Sequence, residues 1–225
     1  MSDEPSLDRL FDKLKDAMPD LDSDEQRLSL QIYRSLASGR PVTVEALARQ
    51  THLPSAKVDA ILGSWPGVFR NDEAAIVGYW GLAIPRMSHE FEVEGVTLYT
   101  WCAWDSLFIP ELLGKQARFA SRCPATGREI RLTIGPEGVR SVSPPEIALS
   151  FLAPTAPFDD DVVTTFCHHI HFFASRAAAE AWVKERPGHI VLSLQEGLEL
   201  ARRTNRSRYR DLFAGAAGHG NAVAP

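Results

Sequence analysis

Cysteine is scarce in this 225-residue chain, with three in all: Cys102, Cys123 and Cys167. An odd number, in a chain long enough to bury its own core, argues against a disulfide framework. A reducing, cytoplasmic setting is therefore expected, and thiols kept reduced stay available for chemistry. Long apolar runs are missing too. The longest, Ala74 to Ile84, stops at Pro85, well short of the roughly 18–20 residues of a membrane span. The opening MSDEPSLDRLFDKL is acidic and amphipathic, unlike a secretory leader, so no membrane partner is expected. Nor is positive charge in excess: 24 Lys+Arg face 29 Asp+Glu, a net charge of −5. That balance excludes a whole-protein nucleic-acid footprint. What remains is ordinary globular composition, 44% apolar and 24% charged, with room for one large domain or two small ones.

The first part of the chain reads as helical, after a lead helix or tail over 1–20. Ser23 and Gln26 match a capping box ahead of Leu28, Ile32, Tyr33 and Leu36, which follow at helical spacing. Thr43 is placed to cap a second helix over 44–50, and a third is expected over 56–65. Short strands around Val68 and Ile76 flank a polar turn. Three helices and a hairpin over 21–83 have the outline of a winged helix-turn-helix. Its charge does not suit DNA, since six basic residues between Leu21 and Pro85 are outnumbered by seven acidic ones. A groove reader needs phosphate-neutralising charge, so a packing or lid role is expected and DNA binding is not.

The second part, 84–200, alternates short β-rich runs with turns. Strands are expected at 95–101, 117–123, 129–134, 138–142, 147–152, 164–173 and 189–194. Helices are expected over 103–113 and 176–186, with a third from Gln195. The fold class expected is α+β: a winged-helix-like domain, then a mixed, largely antiparallel sheet core with interleaved helices. The last segment, 201–225, carries five arginines between Arg202 and Arg210 and reads as a fraying tail.

Two clusters could carry chemistry. In Tyr99-Thr100-Trp101-Cys102-Ala103-Trp104-Asp105 a strand is expected to hand over to a helix, placing Cys102 and Asp105 on one face. A thiol at a helix N-terminus is pushed toward thiolate, and a neighbouring carboxylate can accept its proton and return it. In Phe166-Cys167-His168-His169-Ile170-His171-Phe172, strand alternation would put Cys167, His169 and His171 on one face. That invites a zinc site, but the spacing is not a usual zinc pattern and no fourth ligand is nearby. Cysteine–histidine catalysis is disfavoured because Cys102 has no histidine near it in sequence.

Taken together, LYTWCAWDSLFIPELLGKQARFASRCPATGREIRLTI and the later FCHHIHFFAS, with VSPPEIALSF and AEAW in support, resemble the alkylmercury (organomercurial) lyases over about residues 78–200. The resemblance extends loosely to the winged-helix-like part. It implies an enzyme that protonolyses the carbon–mercury bond of alkyl- or arylmercury compounds, giving a hydrocarbon and Hg(II). It also implies Cys102, Asp105 and Cys167 as the catalytic set, the same three residues holding substrate or product mercury. No cofactor is implied; an external thiol, with a thiol carrier or mercuric reductase as acceptor, would take the product. His168 departs from members that have cysteine there, and Cys123 matches a structural cysteine. Thiolate suits a soft metal, and an aspartate with a pKa raised by burial suits proton delivery. Trp101, Trp104, Phe108 and Phe172 are candidates to line an organic-group pocket. The rival readings are a mercury- or thiol-responsive winged-helix transcriptional regulator without lyase activity and a metal-stabilised interaction module.

Overall fold

The computed structural model describes residues 6–217. Helix α1 (Leu7–Ala17) buries Leu10, Leu14 and Ala17, with Ser6 accepting from the Arg9 backbone N–H at its start. Helix α2 (Ser23–Leu36) does carry a capping box, but one residue earlier than the sequence placed it. Asp22 accepts from Glu25 N–H while the Glu25 carboxylate accepts from Asp22 N–H. Ser23 and Gln26 are drawn elsewhere, both donating to Asp211. Thr43 caps α3 (Val44–Thr51) as expected, and α4 (Ser55–Ser64) follows.

Strands β1 (Val68–Arg70) and β2 (Ile76–Tyr79) form the expected hairpin. The hairpin is no free wing, because β2 pairs with β3 (Leu82–Ala83) and β3 with β5 (Val96–Thr100). It forms one edge of an eight-stranded antiparallel sheet, ordered β1-β2-β3-β5-β4-β6-β7-β8. The remaining members are β4 (His89–Val93), β6 (Ala117–Arg122), β7 (Glu129–Gly135) and β8 (Gly138–Ser143). Strand β4 is absent from the sequence reading. His89, Phe91 and Val93 face inward in it, while Glu90 stands exposed and Glu92 half-buried. Its turn into β5 places Glu94 at φ 50° and Gly95 at φ 79°, the two-residue geometry that matches strand twist.

A second, three-stranded sheet, β10-β9-β11, is built from β9 (Ala148–Leu152), β10 (Phe172–Phe173) and β11 (His189–Ser193). Helix α5 (Asp105–Leu113) follows β5, and α7 (Arg176–Val183) joins β10 to β11. The strand expected over 164–173 is mostly helical instead: α6 (Val162–Thr165), then a single 3₁₀ turn, Cys167–His169, leaving only Phe172–Phe173 extended. Its β-branched and aromatic content is overridden by local bonds, Thr165 Oγ1 and Phe166 N–H donating to the Asp161 and Val162 carbonyls.

The segment read as a fraying tail is ordered helix through Ala217. Helix α8 (Leu194–Arg208), opened by a Ser193/Glu196 capping box, leads into α9 (Arg210–Ala217). Leu198, Leu200, Ala201 and Tyr209 are buried; the Tyr209 hydroxyl bonds Ser29, and Asn205 donates to the Phe108 carbonyl. The arginines decorate this helix, Arg203 pairing with Asp8 and Arg210 with Asp20. Residues 218–225 lie outside those described. One continuous core runs from Leu10 to Tyr209. Among the described residues no helix is long and apolar enough to cross a membrane.

Candidate active site

Cys102 and Asp105 occupy the turn between β5 and α5. The turn is stitched by its own atoms. Thr100 Oγ1 donates to the Cys102 carbonyl (3.0 Å), Cys102 N–H donates to Asp105 Oδ2 (2.7 Å), and Ser106 Oγ donates to the Ala103 carbonyl (2.7 Å). A backbone bond from Trp101 N–H to the Gly81 carbonyl (3.0 Å) fastens it to the β2–β3 turn. Cys167 arrives from the other sheet, on the 3₁₀ turn after α6. Ser150 of β9 holds that segment from both sides, donating to the His169 carbonyl (2.9 Å) and accepting from His171 N–H (3.0 Å). The two segments meet where Ala103 N–H donates to the Ile170 carbonyl (3.2 Å).

The outcome is a closed trio. One ligand atom each from Cys102, Asp105 and Cys167 lies within 4.8 Å of the others, and the residues are 0%, 5% and 4% exposed. The sequence put Cys102 at a helix N-terminus and expected its thiolate to be favoured. The helix instead begins at Asp105, and burial pushes the Cys102 thiol well above its ordinary value, with its bond to Cys167 and the charge of Asp105 adding to the rise. The Cys102 thiol holds the Cys167 thiol down, but burial and Asp105 outweigh that and leave Cys167 raised. Burial lifts Asp105 to about 7, against bonds from the Cys102 backbone and thiol and from the Trp101 backbone. At neutral pH the resting site therefore holds two neutral thiols beside a half-ionised carboxyl.

Gly81 is a site residue that the sequence reading missed. It sits at φ +95°, and a Cβ there would lie 2.6 Å from Asp105 Cγ and 2.7 Å from Oδ1. Only a glycine lets the carboxyl occupy that space. Its neighbour Trp80 also has positive φ (33°), and the Trp80 carbonyl accepts from the Tyr33 hydroxyl (2.7 Å). The sole trace of this in sequence is a Trp-Gly pair between two apolar runs.

The other candidates are dispersed. His169 and His171 do not share a strand face with Cys167. His169 Nδ1 is 3.1 Å from His189 Nε2, His171 packs on Trp182, and His168 is exposed. Among the described residues the trio is the one group of three His, Cys, Asp or Glu close enough to share an ion. Trp104 donates to the Gly197 carbonyl (3.0 Å) and packs on Phe108, while Phe172 packs on Phe119. All four aromatics proposed for an organic-group pocket belong to the buried core, and Trp101 also lines a cavity. Cys123 is buried after β6. Burial pushes its thiol up, yet bonds from Thr126 and from the Ala174, Ala125 and Thr126 backbones leave it lowered overall.

Two soft sulfurs facing a carboxyl that carries a proton near neutrality make a site for a soft metal ion and a proton, on an α+β scaffold. Comparison with known proteins agrees. A family model for alkylmercury lyase matches residues 84–205. An alkylmercury lyase of Pseudomonas putida is 44% identical over 173 residues, 77% of this chain and 80% of the relative. One from Staphylococcus epidermidis is 37% identical over 180 residues, 80% of this chain and 82% of the relative. The chain belongs to the alkylmercury lyase family. A crystal structure of the mercury-bound form of MerB2 has a similar fold, with a TM-score of 0.70 at 24% identity, covering 89% of this chain and 97% of that one.

Proposed function

We propose that this protein splits the carbon–mercury bond of alkyl- and arylmercury compounds, with Cys102 and Cys167 as mercury ligands and Asp105 as proton carrier. The convergence of two sulfurs and one carboxyl within 4.8 Å, in a closed apolar setting, carries this reading. A linear sulfur–mercury–sulfur bridge needs about 4.6 Å if each bond is about 2.3 Å, the zinc–thiolate length.

The protons balance without a further cofactor. The substrate R–Hg–X meets two thiols. One sulfur binds mercury and its proton leaves with X. The other, Cys102, passes its proton to the Asp105 carboxylate, with which it is hydrogen-bonded, and its sulfur closes on mercury. Two thiolates raise electron density at mercury and at the attached carbon, and Asp105 then protonates that carbon as the carbon–mercury bond breaks. The products are RH, HX and Hg(II) held between the sulfurs, with Asp105 again ionised. A carboxyl near pKa 7 can both take and give the proton, which a surface aspartate near 4 does poorly. Two external thiols then reprotonate the cysteines and carry Hg(II) away, to a thiol carrier or mercuric reductase in a reducing cytoplasm.

Reduced protein given phenylmercury and excess thiol is expected to release benzene, measured by headspace gas chromatography. Stoichiometric Hg(II) binding without benzene would refute the lyase reading. The regulator alternative finds little support in α4, where Lys57 and Asp59 are engaged by Asp24 and Arg70.

A further inference from the structure

The trio is closed, so a substrate needs a way in. One cavity of about 780 Å³ lies among α2, α3, α5 and α9, lined by residues such as Arg34 and Leu212, and shares no residue with the trio or its flanking turns. A second cavity, about 440 Å³, lies between the β1–β2 hairpin and α6, inside the roughly 300–1,000 Å³ range of small-molecule sites. Its walls are parts of the two segments that carry the thiols. Trp101 is the chain neighbour of Cys102, and Val163 and Thr164 belong to the helix that runs into Cys167. The Trp101 ring meets Phe69 edge-on at 5.0 Å, and Phe69 is the exposed large hydrophobic among the described residues. Met87, half-buried, contributes a polarizable thioether, and Asp160 and Asp161 put carboxylates at the rim.

We infer that this cavity is the port and organic-group subsite through which an organomercurial reaches the trio, with the Phe69–Trp101 pair as its gate and Met87 as the side chain that limits the size of the organic group. The inference rests on the lyase reading above. An apolar wall suits an alkyl or aryl group, a thioether suits a soft metal, and carboxylates at the rim suit the cationic head R–Hg⁺. Trp101 on the cavity wall is followed directly in the chain by Cys102, at the turn that carries the acid.

The test compares kcat/KM for phenylmercury and methylmercury in Met87→Trp, which fills the cavity, and Phe69→Ala, which opens it, with each variant's Tm measured alongside. Met87→Trp is expected to lower the phenyl-to-methyl ratio by about tenfold or more, the penalty of a poor fit in an apolar pocket, and Phe69→Ala to raise it. Both variants should still hold one Hg(II) per chain, since the bare ion needs no such space. Ratios that stay within about twofold of the parent in both variants, or that fall in both, overturn the port. A parent protein that releases no hydrocarbon from either compound overturns the lyase reading itself, and the port with it, and is told apart by that control alone.

Discussion

The two sheets each supply one thiol, and they hold it differently. The eight-stranded sheet delivers Cys102 together with Asp105 on a turn braced by three local bonds and by the Gly81 backbone. The three-stranded sheet delivers Cys167 from a single 3₁₀ turn, held from outside by the hydroxyl and N–H of Ser150 and by the Ala103 N–H on the Ile170 carbonyl. The acid and its partner sulfur thus form a rigid unit, and the second sulfur is the adjustable one. A site that must close on mercury and later release it to outside thiols gains from having one fixed ligand and one that can give.

The largest effect expected is loss of either sulfur. Cys102→Ser and Cys167→Ser should each cut benzene release from phenylmercury by about a thousandfold or more, measured by headspace chromatography, because a hydroxyl is a poor ligand for a soft metal. Asp105→Asn should come next, slowing hydrocarbon release by about 10²–10⁴-fold while Hg(II) retention stays near one per chain. Unchanged turnover in that variant would remove the proton-transfer role. Gly81→Ala attacks the rigid unit from behind. Its Cβ overlaps the carboxyl and its φ is left-handed, so about 1–3 kcal/mol of stability should be lost, with activity falling further than Tm.

The pH response sharpens the same contrast. Asp105 must be ionised to accept the thiol proton, so kcat/KM should climb through about pH 7 and flatten above it. Its folded pKa lies above the unfolded value of about 3.9. The native state therefore binds that proton more tightly, and the stability linked to it is fully present below about pH 4 and is lost as pH rises to about 7. Roughly 4 kcal/mol is the upper limit of that loss, and Asp105→Asn should flatten the curve in urea melts at a series of pH values. The smallest effect on turnover belongs to the adjustable half. Ser150→Ala removes two hydrogen bonds and should cost about 1–3 kcal/mol, with faster mercury release to added thiol.

Legibility followed the range of the forces involved. The strand-to-helix turn at Cys102 and Asp105 is announced by local signals, an aromatic β run and then a helical apolar face. The alternating strands 117–122, 129–135 and 138–143 were readable for the same reason. The residues of the Cys167 segment favour β, whereas bonds to Asp161, Val162 and Ser150 impose short turns. The arginine-rich end looked polar and loose, but Leu198, Ala201 and Tyr209 recur at helical spacing and are buried. Gly81 was invisible because its reason for being glycine is a carboxyl elsewhere in the chain. The resemblance to lyases carried the choice of three residues; distance along the sequence alone would not have joined them.

The Trp80–Gly81 turn also sets a lower bound on how small this catalyst can be made. The match to the family model begins at Ile84, just downstream of that turn. A fragment trimmed to it would discard the backing behind the acid and the Tyr33 hydroxyl that anchors the backing. On the proposed mechanism, any minimal or fused version intended for mercury cleanup must keep the leading helices, because the Asp105 carboxyl is backed from outside the segment that bears it.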